Sequence, residues 1–187
     1  TYSFFPGKNL GCFGDGGAII TNNKKYYEFI LRARNHGALD KYDHKFSGQN
    51  SRLDTIQAAI LRIKLKNYKK VIAKRNLLAE LYHKNLQKNK NIKLFNLNES
   101  YISCYHQFVI RTNKRNNLQK FLNTKNIPTM IHYPYMLNEL SFFGYKKYLP
   151  KSHNLGKKIL SLPISEEHSS KEIIYICKQI NIFFNKK

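Results

Sequence analysis

"SFFPGKNLGCFGDGGAIIT" (residues 3–21) sets one lysine, Lys8, behind two phenylalanines and a proline and ahead of a run of glycines. Aromatic and proline neighbours keep water from an amine. A desolvated amine gives up part of its preference for the charged form, and the neutral amine is the form that attacks a carbonyl. The glycines at 7, 11, 14, 16 and 17 let backbone approach a bound group closely and supply conformations closed to other residues. On these residues alone the stretch also reads as a surface lysine in a glycine-rich loop. Its spacing is neither a Walker A nor a Rossmann fingerprint, because no strand precedes the glycines and no lysine follows them in the required place. The closing "GGAIIT" (residues 16–21) is a short strand of the buried type with a glycine entrance.

Outward from this stretch the chain alternates. "NNKKYYEFILRARNHG" (residues 22–37) reads as a helix stopped by Gly37, and a polar loop, "ALDKYDHKFSGQN" (residues 38–50), follows it. A long helix is expected from about Ser51, with Leu53, Ile56, Ile60 and Ile63 on one apolar face and Ala58 and Ala59 permitting close approach. The pattern continues through Ile72, Leu77 and Leu81, either as one helix or as two joined near Asn67. "CYHQFVIRT" (residues 104–112) is a strand and "NNLQKFLNTKN" (residues 116–126) a short helix. The closing helix, "SSKEIIYICKQINIFF" (residues 169–184), opens with a Ser169/Glu172 capping box and gathers Ile173, Ile176, Cys177, Ile180 and Phe183 on one face. Strands and helices interleaved in this way place the chain in the α/β or α+β class.

With 187 residues and 42% hydrophobic content the chain buries a sizeable core, as one domain or as parts of two. Its 33 Lys+Arg against 11 Asp+Glu give a net charge of +22, which by itself suggests nucleic acid or an anionic membrane. The lysines are scattered through every segment, however, in company with abundant asparagine, isoleucine and tyrosine. A nucleic-acid-binding module would cluster them with stacking aromatics, so the charge reads as solvated surface. Cys12, Cys104 and Cys177 have no metal-ligand spacing and make an odd count, for which a reducing cytoplasm is the simplest setting, with no metal. No apolar run approaches the length of a membrane span, and the start has no signal-peptide layout. The chain opens directly into a motif without an initiator methionine, and is expected to be a piece of a longer protein.

"SFFPGKNLGCFGDGGA" (residues 3–18) resembles the segment S-F-[FY]-P-x-K-N-L-G-x-x-G-D-x-G-A of the DegT/DnrJ/StrS family of pyridoxal-phosphate-dependent sugar aminotransferases. "HKFSGQNSRLDTIQAAILRIKL" (residues 44–65) is similar to that family's G-x-N-S-R-L-D-x-x-Q-A-A-x-L-x-x-K-L. Looser matches follow at "IHYPYMLNEL" (residues 131–140) and "ILSLPISEE" (residues 159–167). The resemblance implies an α/β, fold-type-I transferase. Residues 1–67 would be the C-terminal part of its large cofactor-binding domain and residues 68–187 its small C-terminal α/β domain, with about as much chain again before the lysine. It further implies a homodimer with shared active sites. The substrates would be a nucleotide-linked keto sugar and an amino-acid donor, glutamate in most of the family, for surface polysaccharide or amino-sugar biosynthesis. Neither nucleic acid nor membrane is implied as a partner.

By the same resemblance Lys8 holds pyridoxal 5'-phosphate as a Schiff base and moves the proton during transamination, while the cofactor serves as electron sink. The aspartate that balances the cofactor's ring nitrogen in the family falls before residue 1. Asn50, in "GQNSRLD", matches the family asparagine that reaches the cofactor phosphate from the neighbouring subunit; its residues alone read equally as a turn or helix cap before Ser51. Arg52 and Asp54 read as structural, pairing or capping at the helix start. His132 and Tyr133, in "IHYP", stand where family members shape the sugar-nucleotide side of the pocket, and a structural histidine beside a proline turn is the other reading. Met136 stands where the family commonly has proline and Asn138 where it commonly has histidine, departures that bear on the sugar contacts. Tyr42 and His44 resemble the subgroup that aminates 3-keto-6-deoxyhexoses on dTDP. Two other classes remain: a basic nucleic-acid-binding module, and a catalytically dead family member with a structural or regulatory role, which would be expected to have replaced Lys8.

Overall fold

In the computed structural model, which describes residues 1–95, 100–143 and 148–185, backbone contacts divide the chain into two units, Thr1–Lys69 and Lys70–Lys187. The first unit opens with β1 (Tyr2–Ser3) antiparallel to β2 (Gly17–Ala18), Tyr2 opposite Ala18 and Ser3 opposite Gly17. The strand expected over residues 16–21 is therefore two residues long and not buried: Ile19 and Ile20 lie beyond the ladder, 51% and 71% exposed. A strand runs only as far as its backbone groups find partners, and among the described residues Tyr2 and Ser3 are the ones paired with it.

The expected first helix is α1 (Lys24–Ala33). Asn23 caps it, its side-chain oxygen accepting from the backbone N–H groups of Lys25 and Tyr26 at 3.0 and 3.3 Å. Gly37 provides the stop. Its N–H donates to the Arg32 carbonyl at 2.8 Å, its φ is +84°, and a Cβ there would strike the carbonyl oxygen of Phe46.

The long helix is continuous, α2 (Thr55–Leu86), and the division between the units falls inside it. It begins later than Ser51, with the Asp54 carbonyl accepting from Ala58 N–H at 3.0 Å. The apolar face expected for its first turns is not the buried one: Ile56 and Ile63 are 67% and 65% exposed, and Leu61 is buried. Leu53 and Ile60 of that stripe are half-buried, Leu53 against Gly16 of the glycine-rich loop, which α2 also grips through polar side chains.

The second unit is built on an antiparallel sheet of order β3 (Lys93–Leu94), β4 (Phe108–Arg111) and β5 (Ile159–Leu162). Phe108 lies opposite Leu162 and Ile110 opposite Leu160, so these four share one face, and all are buried. Against them pack Leu78, Tyr82 and Leu86 of α2, Leu118 and Leu122 of α3 (Arg115–Asn123), and Ile173, Ile176 and Ile180 of α5 (Ser170–Asn185). The Tyr82 ring stacks on Phe108 at 4.5 Å, and its hydroxyl donates to the Pro163 carbonyl at 2.7 Å. The strand expected from residue 104 starts only at Phe108, because Tyr105 takes φ +40°, a turn conformation foreign to a strand. β3, β5 and α4 (Pro150–Gly156) have no counterpart in the sequence reading, being too short for either periodicity to stand out.

α5 follows the expected pattern closely. Ser169 Oγ accepts from Glu172 N–H at 3.2 Å, and Glu172 Oε2 accepts from Ser169 N–H at 2.7 Å. The bond from the Ser169 backbone, then that from its hydroxyl, hold the Glu172 carboxyl below its usual value of 4.5. Ser169→Ala is expected to lower stability by about 1 kcal/mol, read as a lower urea midpoint at unchanged slope. Because the folded value is depressed, the glutamate's share is fully present above its unfolded value of 4.5 and is lost as pH falls through the folded one. A wild-type midpoint retained by the alanine variant at neutral pH would show the box to be without net effect. No helix among the described residues is long and apolar enough to cross a membrane.

Candidate functional site

Lys8 occupies the turn over residues 6–10 and is half-buried. Its N–H donates to the Phe5 carbonyl at 2.8 Å, and the chain doubles back so tightly that a Cβ on Gly11 would lie 2.5 Å from the Pro6 oxygen. Phe4 N–H donates to Gly16 O at 2.8 Å and Cys12 N–H to Phe4 O at 2.9 Å. The Cys12 thiol is fully buried between the carbonyls of Phe4 and Gly14, at 2.9 and 3.0 Å. Gly16 has the Cys12 sulfur where a Cβ would need room, 2.7 Å away. The loop is thus closed on its own backbone.

The second sequence motif braces the first from outside. Gln57 Oε1 accepts from Phe13 N–H at 2.8 Å; Lys64 Nζ donates to the Gly11 carbonyl at 2.6 Å and stands 4.8 Å from the centre of the Phe13 ring. Seven residues apart, Gln57 and Lys64 share one face of α2 two turns apart. Neither residue stands out in the sequence as a site residue; the signal for them is a polar pair at that spacing in the helix after the lysine motif. Around Lys8 the apolar shelter is only partial, since Phe5 is 56% exposed. Among the described residues no carboxylate forms an ion pair with the Lys8 ammonium.

Asn50 is exposed and bridges Asn35, alongside bonds from Ser51 N–H to Arg34 O (2.9 Å) and from His36 N–H to Gln49 O (3.1 Å). With α2 starting at Thr55, the helix-cap reading of Asn50 is excluded. Arg52 does pair, its guanidinium donating to Asn35 Oδ1 at 2.5 Å. Contacts joining the lysine loop to the second motif run through Gln57, Lys64 and Leu53 rather than through Asn50. Tyr42 is 83% exposed, and His44 Nδ1 lies 3.0 Å from the His36 carbonyl.

His132 and Tyr133 belong to the second unit. His132 Nδ1 lies 2.9 Å from Ser161 Oγ, and Ser161 is itself buried and paired with Met130 through both backbone bonds. The Tyr133 ring meets His132 edge-on at 5.5 Å and is 67% exposed. Both line a depression of about 690 Å³ with Tyr135, Met136, Leu155 and Ile159. Met136 N–H donates to Glu139 Oε2 at 2.9 Å, a bond that proline at this place cannot make. Glu139 Oε1 in turn lies 2.6 Å from His153 Nδ1 on α4. The Met136 N–H, then His153, hold the Glu139 carboxyl below the usual carboxylate range. The loop over the depression is therefore tied to α4 by a clasp that the methionine makes available.

The model of the DegT/DnrJ/EryC1/StrS aminotransferase family matches residues 1–181. The chain belongs to this family. It is 38% identical over 190 residues to a pleiotropic regulatory protein of Geobacillus stearothermophilus, covering 98% of the chain and 51% of the relative. It is 37% identical over 167 residues to the dTDP-3-amino-3,4,6-trideoxy-alpha-D-glucose transaminase of Streptomyces venezuelae, covering 87% of the chain and 44% of the relative. The crystal structure of S. venezuelae DesV in complex with a ketimine intermediate superposes with a TM-score of 0.94 at 33% identity, covering 99% of this chain and 51% of that one. The fold is thus that of the family's PLP-dependent aminotransferases, and the chain spans about half the length of the curated relatives it matches.

Proposed function

We propose that the chain forms part of a cytoplasmic aminotransferase that moves an amino group from glutamate to a nucleotide-linked keto sugar, with pyridoxal 5'-phosphate held by Lys8. In this reading residues 1–67 complete the large cofactor-binding domain, residues 68–187 form the small one, and two copies share each active site. The setting of Lys8 carries the proposal: a half-buried amine without an ion-pair partner among the described residues, on a turn fixed by its own carbonyls, Gln57 and Lys64. Such a residue fits the group, since an amine already engaged by a carboxylate is a poor nucleophile.

Bound pyridoxal phosphate supplies the electron sink for the carbanion left when the substrate loses a proton. The remaining tasks fall to side chains of the protein. Lys8 Nζ would take a proton from the donor carbon as its nitrogen departs and, in the second half of the reaction, give one to the sugar carbon that receives the nitrogen, and the closed loop would keep that atom in place for both transfers. The Asn50 amide donates to a phosphate oxygen from the neighbouring subunit, and His132 and Tyr133 line the sugar side. The transaminase of S. venezuelae acts, by its name, on a dTDP sugar, which supports the substrate class and the reading of Tyr42 and His44.

The test is incubation of the protein, expressed from its whole coding sequence, with glutamate and a panel of dTDP- and UDP-linked keto sugars. An amino sugar and 2-oxoglutarate are expected in equal amounts, with neither formed by Lys8→Ala; failure across the panel by cofactor-loaded protein would sink the sugar assignment. Asn50→Ala is expected to weaken cofactor retention by about 1 to 3 kcal/mol, the cost of leaving a charged acceptor one donor short. Mixing Asn50→Ala with Lys8→Ala protein should restore one intact site per heterodimer. Without recovered activity after proven subunit exchange, Asn50 acts within its own chain or not at all.

A further inference from the structure

In the second unit a groove of about 580 Å³ is lined by Lys90, Lys93, Arg111, Lys151 and Lys158. They converge from distant parts of the chain: the turn after α2, β3, β4, the start of α4 and the turn after it. These are 5 of 11 lining residues, whereas Lys+Arg make up 33 of the 187 in the whole chain, so the groove concentrates the charge that the sequence seemed to spread evenly. None of the 11 is acidic or aromatic. Among the described residues none of the five cations has an ion-pair partner. Asn91, Asn113 and Asn154 add amide donors between them.

Cations gathered without counter-charge repel one another, and an anion in the groove relieves that repulsion. Ammonium groups, one forked guanidinium and amide N–H groups together form a donor set for phosphate oxygens. The volume suits a small molecule, and a base or a single-stranded nucleic acid would look for a stacking ring that the lining lacks. We infer that this groove binds a compact polyphosphate, two or three linked phosphate groups recognised through their oxygens and not through a base. Free polyphosphate and the phosphate chain of a nucleotide share this chemistry. The inference is independent of the transamination proposed above and needs no cofactor for its test.

Calorimetric titration of the wild-type protein with sodium tripolyphosphate, and in parallel with dTDP, should show saturable binding that weakens with salt. Lys93→Glu combined with Lys151→Glu, both exposed positions, is expected to lower the tripolyphosphate affinity about tenfold or more. Lys90→Glu with Lys158→Glu is the second variant should the first fail to show the wild-type circular dichroism. Lys25→Glu with Lys178→Glu changes net charge equally away from the groove and should cost about twofold or less. Loss of tripolyphosphate binding in the groove variants but not in the controls supports the site; a parallel loss of dTDP binding names the phosphate chain of a nucleotide as its source, and dTDP binding retained, as at the sugar-nucleotide side of the proposed active site, names free polyphosphate. Equal losses in groove and control variants, or no binding by the wild type, would overturn it. So would tighter, groove-dependent binding of a single-stranded oligonucleotide of matched charge.

Discussion

Lys8→Ala is expected to abolish cofactor attachment completely. Pyridoxal phosphate added to the protein expressed from its whole coding sequence should give a visible absorption band, and borohydride reduction should leave the cofactor mass on the peptide containing Lys8. The variant should show neither. The peptide map is the decisive part, because the chain carries 33 Lys+Arg and surface lysines react slowly with the same reagent. What separates Lys8 from them is its place in the loop. The close approach of Gly11 to the Pro6 oxygen, the buried Cys12 thiol and the two bonds from Gln57 and Lys64 leave the residue 8 backbone little freedom. A side chain on such a base loses less entropy when it is held in one position. A mass increment on a different lysine, with peptide coverage that includes residue 8, would refute the assignment.

The bracing of that loop marks where sequence reading stops. α1, α2 and α5 were legible because stops, caps and 3.6-residue periodicity act within a few residues of one another: Gly37 closing α1, Ser169 against Glu172, Ile173 to Ile180 along one face. Lys8, Asn50, His132 and Tyr133 were legible as candidates through quoted motifs. Their surroundings were not. Phe13 meets Gln57 across 44 positions of sequence, Gly11 meets Lys64 across 53, and His132 meets Ser161 across 29. The short strands β1, β3 and β5 escaped for the same reason, since their pairing is decided by partners elsewhere in the chain. Of the apolar stripe expected along the start of α2, Leu53 and Ile60 are half-buried and Ile56 and Ile63 exposed, while the hydrogen bonds from α2 to the lysine loop come from Gln57 and Lys64, polar positions that no periodicity marks.

Arg75→Met is expected to cost about 2 to 3 kcal/mol of stability, the range for losing hydrogen bonds made by a charged donor. Only 8% of the Arg75 side chain is accessible, and each guanidinium nitrogen is used: Nε and Nη2 each lie 2.9 Å from Glu166 Oε2, and Nη1 donates to the carbonyls of Tyr105 and Ile164 at 2.9 and 3.2 Å. One side chain on α2 thereby fixes the segment entering β4 and the segment leaving β5. Methionine fills much the same volume, so the loss falls on hydrogen bonds and charge rather than on a cavity. Two carbonyls of the half-buried residues Tyr105 and Ile164 lose their donor, while Glu166, whose side chain is 31% exposed, recovers some hydration. Glu166→Gln should therefore cost less than Arg75→Met, and the double variant less than the sum of the two. High salt should reduce the difference between wild type and Arg75→Met only modestly, because the guanidinium is buried and two of its bonds go to carbonyls. As a control, Arg62→Met on the exposed side of α2 should stay within about 0.5 kcal/mol. A loss below about 1 kcal/mol for Arg75→Met, the worth of one ordinary hydrogen bond, would show that the guanidinium is not what ties these segments together.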